Sequence, residues 1–225
     1  MSQYIIGASS FAYEITEYIS YDNKLNNIHN GGGVDGYFDI TNETYNKYNF
    51  QSPYLGCEDF YHFKENDSVI IAISNPKIRG IVYNKIKKMK IGVFSFISSK
   101  SFISNQSIIL EGAIICPFVT LTSNCKIGVN FQANIYSYVA HDCVIGNNVT
   151  FAPSVKCNGN VIIGNNVYIG TGAIIHQGKN DKPLVIGNNV TIAAGSVVTK
   201  NIKDNEVVFG NPAIKLNKEN LKKRI

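Results

Sequence analysis

The sequence predicts two units in series: an α/β unit built on a small parallel sheet (residues 1–100), then an all-β unit, a parallel β-helix (101–213), with a short tail at 214–225. Three observations predict this. The phrase VIGNNV (144–149) returns as IIGNNV (162–167) and again as VIGNNV (185–190), so its Ile recurs after 18 and then 23 residues. Every sixth residue from Ile103 to Ile175 is apolar. Upstream of both, apolar runs of strand length alternate with helical patterns, the order that builds a parallel sheet.

In chain order, QYIIG (3–7) reads as a buried strand, followed by a GASS turn and an amphipathic helix from about Phe11 to Ile19. Further strands are expected at VDGYFDI (34–40) and SVIIAI (68–73), then a helix over PKIRGIVYNKIKKM (76–89) and a strand at IGVFSFI (91–97). Gly7, closing the first strand, lets the chain turn into a helix whose first N–H groups can receive an anion. The turn is not the dinucleotide motif GxGxxG; an ordinary strand-to-helix turn would look the same. The alternation as a whole reads as a small Rossmann-like fold, in which Asp39 follows the second strand, where an acidic residue can accept hydrogen bonds from a base or ribose.

The six-residue count runs Ile103, Ile109, Ile115, Leu121, Ile127, Ala133, Val139, Ile145, Phe151, Cys157, Ile163, Ile169, Ile175, and after a shift of five it resumes at Ile186, Ile192 and Val198. An α-helix would need a period of 3.6 and a long sheet strict alternation, so six points to hexapeptides wound into a β-helix. Three hexads make one triangular coil of 18 residues, and stacked coils pair their backbones about 4.8 Å apart. The IGNNV copies then occupy equivalent edges of successive coils, with Asn and Gly tolerating the left-handed backbone of the corners. HQGKNDKPLV (176–185) is the excursion that lengthens one coil. Cys116, Cys125, Cys143 and Cys157 fall at or near inward positions, where they act as small core fillers.

Composition narrows the function classes. The chain has 225 residues, 44% hydrophobic and 16% charged, enough for two modest cores. The net charge of +5 owes much to KIKKMK (85–90) and KKRI (222–225), which lack the aromatic interleaving of a nucleic-acid surface. No apolar run approaches the roughly 18 residues of a membrane span, and MSQYIIGASSFAYE lacks the pattern of a secretory signal. Five cysteines without metal-ligand spacing, and odd in number, fit a reducing cytoplasm.

Taken together, GASS after the first strand, IAISNPKIR (71–79), NIYSYVAHDCVIG (134–146) on the repeat and GNPA (210–213) near its end resemble the NeuD/PglD-type sugar acetyltransferases, from Tyr4 to about Leu216. The resemblance implies a left-handed β-helix, against the usual right-handed crossover. It further implies a cytoplasmic homotrimer with no metal. The implied reaction moves acetyl from acetyl-CoA to the amino group of a nucleotide-linked sugar, with a 4-amino-4,6-dideoxy sugar expected and UDP, dTDP or GDP as its carrier, for bacterial surface glycan (O-antigen or lipopolysaccharide) synthesis. Two alternatives are sugar O-acetylation of the sialic acid type and a non-catalytic structural β-helix. The family's first turn commonly reads GASGH, where this chain has GASSF, so Ser10 and Phe11 stand in place of Gly and His.

Residue by residue, the family's His-Glu pair is His141-Asp142 here, and its Asn seven residues earlier is Asn134. His141 lies two residues past the inward Val139, at a corner; an imidazole there can take the proton of an attacking nucleophile. By the resemblance Asp142 fixes its tautomer, and the backbone N–H of Gly159, one coil on, is the oxyanion donor. The resemblance places Gly7, Ala8, Ser9, Ser10, Asp39, Asn75 and Arg79 around the nucleotide-sugar. It places Gly170, Gly172, Ala194, Gly195, Lys200 and Pro212 along the acetyl-CoA groove, with small residues admitting the pantetheine arm and Lys200 meeting a phosphate. His176, opening the excursion, is the rival base, while His29 and His62 read as structural or solvent-facing. His141 and His176 lie close to two coils apart, as in a γ-type carbonic anhydrase, but the repeat lacks the third His of a zinc site.

Overall fold

The computed structural model describes residues 2–25, 33–179 and 181–222, with side chains to Asn220. His29 lies outside the described residues. Four strands, β1 (Gln3–Ile6), β2 (Gly36–Phe38), β3 (Ser68–Ile71) and β4 (Gly92–Val93), form an all-parallel sheet in the order β2-β1-β3-β4. Helix α1 (Ser10–Leu25) follows β1, and α2 (Pro76–Lys88) follows β3. The alternation along each strand sorts the core. Ile5 and Ile70 pack on one face, and Tyr4, Ile6, Val69 and Ile71 on the other. α2 begins where Asn75 accepts from the N–H groups of Lys77 and Ile78 and Pro76 supplies a fixed φ.

Two sequence expectations change here. α1 starts at Ser10 and extends to Leu25, past the expected end at Ile19, because Asp22 on its last turns is buried and accepts from the N–H and hydroxyl of Ser99. The single strand expected over 91–97 is two: β4 completes the parallel sheet, whereas Phe96–Ile97 pairs with Ile114–Ile115 in the next unit. The chain changes sheets between Val93 and Phe96.

From Phe96 on, the chain winds a left-handed parallel β-helix whose faces are three sheets of eight, five and six strands, the eighth strand of the first, Ile214–Lys215, pairing antiparallel with Val207–Phe209. Partners stand 18 residues apart, as Val139 with Cys157, and 23 apart across the excursion, as Tyr168 with Thr191. The last coil then shortens, and Thr191 pairs with Val207. Inward columns are apolar throughout: Ile127, Ile145, Ile163, Ile186 and Ile202 stack on one face, each 6% exposed or less. Each such side chain contributes roughly 1.5–3 kcal/mol on burial.

The corners explain the repeated phrase. Asn130, Asn148, Asn166, Asn189 and Asn205 all hold φ between 55° and 61°. In that column each of the first four passes an amide hydrogen bond to the next, from Asn130 Nδ2 to Asn148 Oδ1 (3.0 Å) up to Asn189 Nδ2 to Asn205 Oδ1 (3.1 Å). The preceding Asn takes a backbone N–H from the coil below, as Asn165 Oδ1 does from Asn147 N. The Gly has no room for a side chain: a Cβ on Gly146 would lie 2.7 Å from the carbonyl carbon of Gly164. Left-handed backbone, coil-to-coil bond and close stacking thus each claim one letter of GNN.

The α/β unit sits on the outer face of the eight-stranded sheet. Ile114, Gln132 and Thr150, outward-facing on that sheet, are fully buried beneath it. Arg79 on α2 pins the two units. Its Nε donates to Asn130 O (3.0 Å), Nη1 to Ile73 O (2.6 Å), Ser74 O (3.2 Å) and Gln132 Oε1 (3.1 Å), and Nη2 to Thr150 Oγ1 (2.8 Å). Gln132 Nε2 in turn donates to Ile71 O, and Thr150 Oγ1 to Ser74 O. Tyr83 and Lys87 of α2 meet Glu111 at 2.6 and 2.9 Å, and the Asp22–Ser99 contact closes the seam.

Candidate active site

His141 stands at the corner between the strands Tyr138–Val139 and Val144–Ile145, the vertex opposite the face that carries the α/β unit. The next residue, Asp142, holds φ 60° in a column with Asn124 (58°) and Asn160 (56°). Asp and Asn tolerate that conformation better than most side chains. One carboxylate oxygen of Asp142 accepts from Asn124 Nδ2 (2.6 Å) and the other lies 2.7 Å from His141 Nδ1. The bond from Asn124, then the one from His141, holds the Asp142 carboxyl below its ordinary pKa. An ionised carboxylate only accepts, so in the neutral ring Nδ1 carries the proton and Nε2 keeps the lone pair. Both side chains are about half exposed, at 50% and 51%.

Gly159 lies against the imidazole from the next coil. A Cβ there would sit 2.6 Å from His141 Cε1 and Nε2, so the absence of a side chain is what lets the ring rest against the backbone one coil on. Asn160 N donates to His141 O and fixes the corner from above. The excursion packs on the same corner, with Gly178 N donating to Gly159 O and Asn160 Nδ2 to Lys179 O. His176 is exposed, and among the described residues no carboxylate meets its ring. Asn134 lies at the other end of the strand Tyr138–Val139, its Nδ2 donating to Phe151 O (2.9 Å). The chain therefore brings Asp142 and Gly159 to His141 but holds Asn134 at the neighbouring corner.

A second constellation lies in the α/β unit, at the carboxyl ends of β1 and β3. In the order β2-β1-β3-β4 the connections that leave β1 and β3 run in opposite directions, and the crevice at such a point is where open α/β sheets bind ligands. A cavity of about 540 Å³ opens there, lined by Gly7, Ser9, Asp39, Ser74 and Asn75 among others. Gly7 (φ 99°) passes so close to β3 that a Cβ would lie 3.0 Å from Ala72 O. Ala8 is buried, and its N–H donates to Asp39 Oδ2 (2.9 Å), so Asp39 steadies the first turn; its other oxygen takes Ile40 N (2.8 Å). Asn75 Oδ1 caps α2 at the cavity's edge.

Three expected site residues are placed elsewhere. Arg79 is fully enclosed in the seam with its donors engaged by protein oxygens, so it shapes the Ile73–Ser74 wall from behind and presents no charge to a ligand. Burial without a carboxylate partner lowers its pKa to about 9, which leaves it protonated at neutral pH. Ser10 is exposed on the first turn of α1 and is not part of the cavity lining. Gly170 faces the next coil, where a Cβ would meet Ala194 N at 2.5 Å; its smallness serves stacking. Gly172 and Gly195, by contrast, sit at an open corner with φ 69° and 67°, where an added Cβ would meet nothing within 4 Å, and Ala194, Lys200 and Pro212 are exposed nearby in the chain.

The sequence reading missed Ile78, Ile81 and Lys85, which line the cavity from one face of α2 at spacings i, i+3 and i+7. Large exposed Ile residues on an otherwise amphipathic helix carry that signal. Glu58 and Asp59, which meet Lys85 at 2.6 and 2.8 Å on the cavity wall, lie in a stretch, GCEDFYHF, that has no period to read.

No protein-family model matches the chain. A GDP-perosamine N-acetyltransferase from Escherichia coli O157:H7 is 50% identical over 114 residues, 51% of this chain and 52% of that protein, so the match spans about half the length of the curated relative. PerB from Caulobacter crescentus, solved in complex with CoA and GDP-perosamine, shares the fold with a TM-score of 0.81 at 20% identity, over 96% of this chain and 98% of that one. WeeI from Acinetobacter baumannii AYE is 39% identical with a TM-score of 0.85, covering 96% of this chain and 100% of its own. On that full-length likeness and the hexapeptide fold, the chain belongs to the NeuD/PglD-type sugar acetyltransferase family.

Proposed function

We propose that the protein transfers acetyl from acetyl-CoA to the amino group of a GDP-linked 4-amino-4,6-dideoxy sugar. The observation that carries this reading is the His141–Asp142 pair seated on Gly159, with Nε2 free to act. The amine attacks the thioester carbonyl and His141 Nε2 takes its proton; the tetrahedral oxyanion is stabilised by a backbone N–H such as that of Gly159; the C–S bond breaks and the CoA thiolate leaves and is protonated. The E. coli relative named for GDP-perosamine favours GDP over UDP or dTDP as the carrier.

The functional unit is a homotrimer, and the site is shared. The α/β cavity rides on the eight-stranded face, whereas His141 occupies the opposite vertex, so one chain cannot bring its own base to its own sugar. A neighbouring copy can. The two remaining faces leave Phe102, Ile108, Val144, Ile162 and Ile174 between 38% and 60% exposed, apolar surface that a second and third prism would cover. The open Gly172–Gly195 corner then lines the groove between prisms, where the pantetheine arm can approach the backbone and Lys200 can meet a phosphate. Among the described residues no group of three or more metal-ligating side chains exists, and no helix is long and apolar enough to cross a membrane.

The direct test is acetyl-CoA with a panel of GDP-, UDP- and dTDP-linked 4-amino sugars, read by mass and by amide-specific fragmentation. One added acetyl on nitrogen of the GDP-sugar is expected. Ester formation alone, or no transfer to any amino sugar, would overturn the reading.

A further inference from the structure

Resting on that reading, we infer that Lys85, flanked by Glu58 and Asp59, reads the base of the bound nucleotide and that the base it reads is guanine. Lys85 Nζ lies 2.6 Å from Glu58 Oε1 and 2.8 Å from Asp59 Oδ1 on the cavity wall. The second oxygens of the two carboxylates have the Cys57 thiol at 3.8 and 3.7 Å. A thiol is a weak donor with a single proton, so acceptor capacity remains on this wall. The wall thus offers one strong N–H donor beside carboxylate acceptors.

Only one common base presents the complement. Guanine carries an acceptor, O6, next to two donors, N1–H and the 2-amino group. Uracil and thymine place a carbonyl on each side of their single N–H, so one carbonyl would face a carboxylate. Adenine and cytosine each set one amino donor beside ring-nitrogen acceptors and so lack the second donor. Two carboxylates and one ammonium sum to a net negative charge, which repels phosphate; the phosphates therefore belong at the other end, near Gly7 and Ser9 at the start of α1. Between the ends, Ile78 and Ile81 are 49% and 69% exposed and Ile40 is 85% exposed, all on the same cavity. Apolar side chains left in water along a cavity are a surface for a planar ring.

Calorimetric titration of the full-length protein with GDP, IDP, UDP and ADP tests this. GDP should bind about tenfold tighter than IDP, which lacks the 2-amino group, and tighter still than UDP or ADP. Asp59→Ala, at a side chain 47% exposed, should abolish the GDP preference over IDP while the melting temperature holds. Glu58→Gln should weaken GDP about tenfold and leave UDP unchanged. If UDP binds as well as GDP, or the variants weaken GDP and UDP alike, the base assignment is wrong and GDP falls as the preferred carrier, while acetyl transfer to a nucleotide-linked amino sugar stands. If the folded protein binds no nucleoside diphosphate, both fail.

Discussion

Arg79 and His141 are both basic side chains on segments that the sequence singled out, and they end in opposite states. Arg79 is fully buried in the seam, with its guanidinium spent on five protein oxygens across two units. His141 is half exposed at the far vertex, held by one carboxylate and leaving one nitrogen free. The difference teaches what each motif is for. A cation whose donors are all engaged inside the chain fixes geometry; a side chain oriented through one atom and open at another is placed to do chemistry.

The comparison breaks most readily at the vertex. His141→Ala should lower kcat by about 10²- to 10⁴-fold with both KM values and the melting temperature little changed, since no core cavity forms. Steady-state kinetics beside thermal unfolding checks both halves. At the seam the outcome should invert. Arg79→Met strands the carbonyls of Ile73, Ser74 and Asn130 and should destabilise the fold by about 3 kcal/mol, a fall of roughly 10 °C in Tm for a chain of this size. The KM for the nucleotide-sugar should rise more than that for acetyl-CoA, because the Ile73–Ser74 wall loosens.

Smaller changes sharpen the contrast. Gly159→Ala puts a methyl group where the imidazole rests, so kcat should fall about tenfold while the fold survives, because the far end of a side chain can move aside. Asn134→Ala should cost a few-fold at most, as its amide serves the Phe151 carbonyl and does not touch His141 in the chain. A loss at Asn134 equal to that at His141 would place the Asn of a neighbouring copy among the reacting groups.

Much of this was legible in the sequence, for physical reasons. A six-residue period with identical 18-residue partners leaves one register, and the pairs Lys126 with Val144 and Val144 with Ile162 fall where the Ile count put them. The family resemblance singled out His141, Asp142 and Gly159 together, and the 18-residue step from His141 to Gly159 stacks those two on adjacent coils. The sheet boundary was not legible, since IGVFSFI is apolar from end to end while its halves serve different sheets. Nor was the fate of Arg79: a motif fixes the residue type, but whether its donors meet ligand or protein depends on Gln132 and Thr150, more than fifty residues away.

The central claim is that His141 of one copy acts on a sugar held by another. Two inactive variants test it most directly: His141→Ala, which lacks the base, and Ile78→Trp, which fills the cavity from an exposed position on α2. Each is to be purified alone and as a co-expressed, doubly tagged mixed assembly. The account predicts that the mixed assembly recovers turnover, because some cavities with their sugar then face an intact His141. A mixed assembly as inactive as either variant alone would contradict it and put base and sugar on one chain.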